Sequence, residues 1–100
     1  MRRMAILVGL IASPALASTP AAWAAHDRAA ATACVRAAGL RGARVSPPVV
    51  FSDRTGQTAL LVTGSYAQAF MHGAQGTMLC LYDRRSKRAD VSEAKGWDFR

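Results

Sequence analysis

The sequence predicts an α+β domain in which one N-terminal helix packs on an antiparallel meander of three or four strands, closed by one disulfide, after a cleaved signal peptide. Three observations predict it. Apolar residues recur at helical spacing between Arg28 and Ala38, short apolar runs separated by turn residues fill the chain from residue 45 onward, and the two cysteines fall one in each part.

The leader comes first in the chain. Arg2 and Arg3 precede the apolar run Ala5 to Ala12, which is followed by a small-residue segment containing Pro14 and Pro20. This is the order of an export signal, in which the arginines hold the start on the cytoplasmic side and the prolines end the membrane-inserted helix. The run is too short to span a bilayer, which takes about 20 apolar residues. Signal peptidase requires small side chains one and three positions before the cut. Ala22 and Ala24 satisfy it, and so do Ala15 and Ala17. The cut after Ala24 gives the more usual leader length and is the expectation, with Ala17 as the alternative. The resulting plan is a signal peptide at 1–24, a small α+β domain at 25–94 and a C-terminal tail at 95–100. The arginine pair lacks the flanking residues of a twin-arginine signal, and no cysteine lies near either cut to carry a lipid anchor. The expected location is periplasmic or secreted, with no membrane span after cleavage.

A mature domain of about 75 residues buries only a modest fraction of its unfolded surface, so a staple is expected. The whole chain has a net charge of +7, and loss of Arg2 and Arg3 leaves +5. Such a surface is attracted weakly to polyanions, but the charges are spread along the chain, and specific nucleic-acid recognition is not expected.

In the mature part, Asp27 is the expected N-cap of a helix from Arg28 to Ala38. Ala30, Ala31, Cys34, Val35 and Ala38 make its apolar face, and Arg28, Thr32 and Arg36 a polar stripe. Gly39 supplies the left-handed stop, with Leu40 folding back toward Val35. A first strand is expected at Val45 to Phe51, pushed to an edge by Pro47 and Pro48. A turn at Asp53 to Gly56 leads to a second strand, Thr58 to Val62, continuing through a bulge or bend at Gly64 as Ser65 to Met71. After a hairpin at His72 to Gly76 comes a central strand, Thr77 to Asp83, apolar on both faces. The basic turn Arg84 to Arg88 leads to a weaker fourth strand, Ala89 to Glu93.

Packing the helix on the sheet brings Cys34 to Cys80. In an oxidising compartment that pair forms a disulfide, and closing a loop of about 47 residues contributes roughly 4 kcal/mol in the chain-entropy account. Neither cysteine has the close spacing or helix N-terminal position of a redox-active thiol. His26, His72, Met71 and Met78 show no short-range ligand spacing, so no metal and no cofactor are expected, and His26 reads as part of a frayed terminus. Asp53 and Asp83 fall at turns, where short acids bond their own backbone, and no catalytic constellation stands out. The chain is therefore expected not to be an enzyme.

Two surfaces remain. If Cys80 faces the helix, Met78 and Tyr82 do too, and Leu79 and Leu81 turn to the opposite face, which one helix cannot cover. The expectation is a non-catalytic binding domain that uses this face for a second copy or a protein partner. The alternative is electrostatic binding of envelope or nucleic polyanions by the hairpin residues Arg84, Arg85, Lys87 and Arg88. A minor enzymatic or metal-carrier role ranks last.

Overall fold

The computed structural model describes residues 19–96. Residues 1–18 of the expected leader and residues 97–100 of the expected tail lie outside the described residues. The architecture is one helix packed on one face of an antiparallel sheet.

Helix α1 runs Pro20–Ala38 and so begins well before Arg28. Thr19 is its N-cap, with Oγ1 accepting from the Ala22 N–H at 3.1 Å, and Pro20 occupies the first turn, where its missing N–H costs nothing. The alanine-rich stretch after it continues the helix readily. Asp27, the expected cap, therefore lies inside the helix. The stop is as read from the sequence: Gly39 is left-handed (φ 64°), and its N–H donates to Val35 O at 3.2 Å.

The strands are β1 Arg41–Val45, β2 Val49–Val50, β3 Gln57–Ser65, β4 Gln75–Asp83 and β5 Arg88–Glu93. The single first strand expected at Val45 to Phe51 is instead two pieces, both paired to the same flank of β3. Pro47 and Pro48, lacking N–H donors, sit in the gap. Ser46 bridges it: its N–H donates to Leu61 O, and its Oγ accepts from the Leu61 N–H, each at 2.9 Å. From that edge the sheet continues β3, β4, β5, each strand antiparallel to the last.

Two details of β3 depart from expectation. The strand ends at Ser65 rather than running on to Met71, and the chain crosses to β4 through a short 3-10 turn, Ala69–Met71, and left-handed residues at His72 and Gly73. Gly64 is no bulge. It pairs regularly with Gly76, and a Cβ on it would lie 2.6 Å from Arg41 O and 2.9 Å from Leu40 Cβ. The glycine is there so that Leu40 and the start of β1 can close on the sheet, and the register shift falls in β1, between Arg41 and Arg44.

Alternation along β3 buries Thr58, Leu60, Val62 and Gly64, while β4 contributes Cys80 and Tyr82 to the same face. Ala30 and Cys34 of α1 and Leu40 complete the core. Cys34 and Cys80 are joined by a disulfide with Cα atoms 5.9 Å apart, within the usual range for such bridges.

The β4–β5 hairpin is closed by Asp83, whose Oδ1 accepts from the N–H groups of Arg85 (2.8 Å) and Ser86 (2.9 Å). The Ser86 and Arg85 N–H donors hold the Asp83 carboxyl below the usual carboxylate range.

Two outcomes follow from this packing. Gly64→Ala should lower stability by about 1–3 kcal/mol in urea melts, because the added methyl meets backbone that cannot move aside. Asp83 has a folded pKa lower than its unfolded one, so its contribution is complete above the ordinary carboxylate value of about 4 and is lost as pH falls through the depressed value. Asp83→Asn should flatten the acid limb of the stability–pH curve, and an unchanged limb would remove Asp83 from that role.

Candidate functional site

The face of the sheet turned away from α1 follows from the register. With Leu60 and Cys80 paired on the helix side, the pairs Ala59–Leu81, Leu61–Leu79 and Thr63–Thr77 lie on the outer side. Strand β2 sets Val49 beside Ala59, and β5 sets Asp90 beside Leu81 and Ser92 beside Leu79. Strand β1 adds Arg44 beside Thr63. Leu81 is 40% exposed and Val49 60%, while Leu79 and Leu61 are half-buried by their neighbours in the sheet. No element among the described residues covers this face. Around Leu81 it is dished into a depression of about 450 Å³ whose walls include Gln57, Asp83, Arg88 and Asp90.

The hairpin cations do not gather into one patch. Arg84 turns inward, its side chain only 15% exposed. Its Nη1 donates to Gln57 O and to Thr58 Oγ1, and its Nη2 donates to Phe51 O (2.8 Å), Ser52 O (3.2 Å) and Asp53 Oδ1 (3.3 Å). Its charge is spent holding the 51–57 loop to the end of β4, where five N–H donors in a rigid fork suit a ring of carbonyls. Arg85, Lys87 and Arg88 are exposed, but they diverge. Arg88 borders the outer face, whereas Lys87 lines a shallow groove on the helix side with Arg28, Thr32, Arg36 and Tyr82. No carboxylate among the described residues lines that groove.

A polar network that the sequence reading missed joins α1 to the end of the sheet. His26 Nδ1 lies 3.0 Å from Asp27 Oδ1, and His26 Nε2 lies 3.1 Å from Thr58 Oγ1. With Nδ1–H donating to Asp27, Nε2 accepts the Thr58 hydroxyl proton, and the Thr58 oxygen accepts from Arg84. His26 also meets Trp23 and Tyr82 edge-on, with ring centroids at 5.2 and 5.9 Å. It is thus a packed side chain and no frayed terminus. The signal was present, since His26 stands four and eight residues before Ala30 and Cys34 on the same helical face, but it was hidden by starting the helix at Arg28.

The line Asp27, His26, Thr58 has the order of an acid, a base and a hydroxyl. Thr58 is fully buried, however, and its oxygen already serves Arg84, so nothing can approach it as a nucleophile and the line acts as a fastening. Among the described residues no group of three His, Cys, Asp or Glu gathers as a metal site, and no helix is long and apolar enough to cross a membrane.

No family model, curated protein or solved structure matches the chain.

The inward turn of Arg84 separates it experimentally from its neighbour. Arg84→Gln should cost about 1.5–3 kcal/mol, the range for hydrogen bonds to a charged group, whereas Arg85→Gln should stay within about 0.5 kcal/mol. Equal urea midpoints for the two variants would show that the fork does not hold the loop.

Proposed function

We propose that this chain is an exported, non-catalytic binding domain that acts through the outer face of its sheet, with a second copy of the chain as the occupant. The observation that carries the reading is the exposed apolar row of Val49 and Leu81 on a face that no described element covers. Water gains by releasing such a surface. Its rim holds both signs of charge, Arg44 and Arg88 against Asp83 and Asp90. A strongly basic chain repels its own copy over most of its surface, so a balanced face is where two copies can meet. The disulfide fits an oxidising compartment, in keeping with the export reading.

A second reading rests on the carboxylate-free groove of Arg28, Thr32, Arg36 and Lys87, which would hold a phosphate- or sulfate-bearing polyanion. It replaces the hairpin as the cationic surface, because Arg84 is committed internally.

Sedimentation of the wild type and of Leu81→Lys tests the first reading. The wild type should dimerise and keep doing so at high salt, while the variant should be monomeric, still folded and with its disulfide intact, since a lysine at an exposed strand position costs little. A wild type that stays monomeric at high concentration contradicts the proposal. So does a Leu81→Lys variant that unfolds, because that result would mean the face is covered within one chain.

A further inference from the structure

The expected export cut, between Ala24 and Ala25, falls inside α1. On the export reading given above, we propose that the leader is instead removed after Ala17, so that the mature chain begins at Ser18 and keeps the whole of α1.

The residues that the later cut would remove are working parts of the folded domain. Thr19 accepts from the Ala22 N–H through its side chain and from the Trp23 N–H through its carbonyl, at 3.1 Å in each case. Pro20 stands at the start of the helix, the position its geometry favours. Trp23 packs edge-on against His26, and His26 carries the bond to the buried Thr58. A cut after Ala24 would remove the cap and Trp23 together and leave His26 as the second residue of the chain.

Charge argues the same way. A cut after Ala24 creates an ammonium at Ala25, in the first turn of the shortened helix, where unpaired N–H groups already make the end positive. A cut after Ala17 places that ammonium at Ser18, before the Thr19 cap, and keeps the bonds of Thr19 to the Ala22 and Trp23 N–H groups. The earlier site meets the peptidase rule equally well, since Ala15 and Ala17 are the small residues three and one positions before the bond. It follows the apolar run Ala5 to Ala12 and Pro14 directly, and a 17-residue leader lies within the range of about 15–30.

The test is intact mass and N-terminal peptide sequencing of the protein recovered after export of the full chain from a bacterial host. An N-terminus at Ser18 is expected. Ala17→Leu should abolish the Ser18 N-terminus, and Ala24→Leu, at an exposed helix position, should leave it in place. An N-terminus at Ala25 overturns the proposal while leaving export standing; a wild-type chain found only in the cytoplasm with residue 1 retained overturns export itself. Stability supplies an independent readout. Thr19→Ala should lower the melting temperature of the exported protein by roughly 4–8 °C, the shift that loss of an N-cap produces in a domain of this size. No shift at all would show that Thr19 is absent from the mature chain.

Discussion

The bond between Cys34 and Cys80 sets the geometry on which the rest depends. The core around it is thin: among the described residues Val62, Thr58 and the two cysteines are the largest fully buried side chains, and Tyr82 is the one buried aromatic ring. Ala30 and Cys34 present little bulk, so α1 can lie close to β4, and that closeness is what allows the bridge. The same smallness limits apolar burial. A cross-link between residues 46 apart in sequence restricts the unfolded chain by roughly 4 kcal/mol, comparable to the total stability of many small domains. Once Cys80 is fixed toward the helix, the pleat determines every other side chain in β4, and pairing carries that choice across the sheet.

Polar fastenings at both ends of the sheet make up for the missing apolar volume. At one end Arg84 holds the 51–57 loop, and the His26–Thr58 pair ties α1 to β3. At the other end Tyr66 lies over Gly76, where a Cβ would sit 2.6 Å from its ring, and its hydroxyl donates to Glu93 Oε2 at 2.8 Å. That bond raises the Tyr66 pKa and lowers that of Glu93, because it favours the protonated phenol beside an ionised carboxylate. Each fastening joins segments distant in sequence.

The parts legible in the sequence were those with a local cause. The stop at Gly39, the alternation of β3, the inward Cys80 and the outward Leu79 and Leu81 all follow from period and conformational preference. The misreadings share a different origin. An N-cap expected at Asp27 starts the helix late, although Thr19-Pro20 has the pattern of a cap followed by a first-turn proline. Gly64 was read as a bend because a glycine in a strand has two meanings, and only tertiary packing of Leu40 selects the close approach. Arg84 was grouped with Arg85 by adjacency. Neighbours in a tight turn point apart, and the carbonyls that draw Arg84 inward lie some thirty residues away.

The division of charge follows from these placements. The polar stripe of α1 and Lys87 make the helix side cationic, while the withdrawal of Arg84 removes one positive charge from the hairpin surface. On the outer side Asp83 and Asp90 stand against Arg88 and Arg44, around the exposed Val49 and Leu81. The side that the helix covers therefore carries the excess of positive charge, and the side it leaves bare carries the balance of charge and the apolar surface. Both properties trace to the covalent choice of which face of β4 meets α1. With Cys80 reversed, Leu79 and Leu81 would fill the core, and the face left open would hold Met78, Tyr82 and Val62.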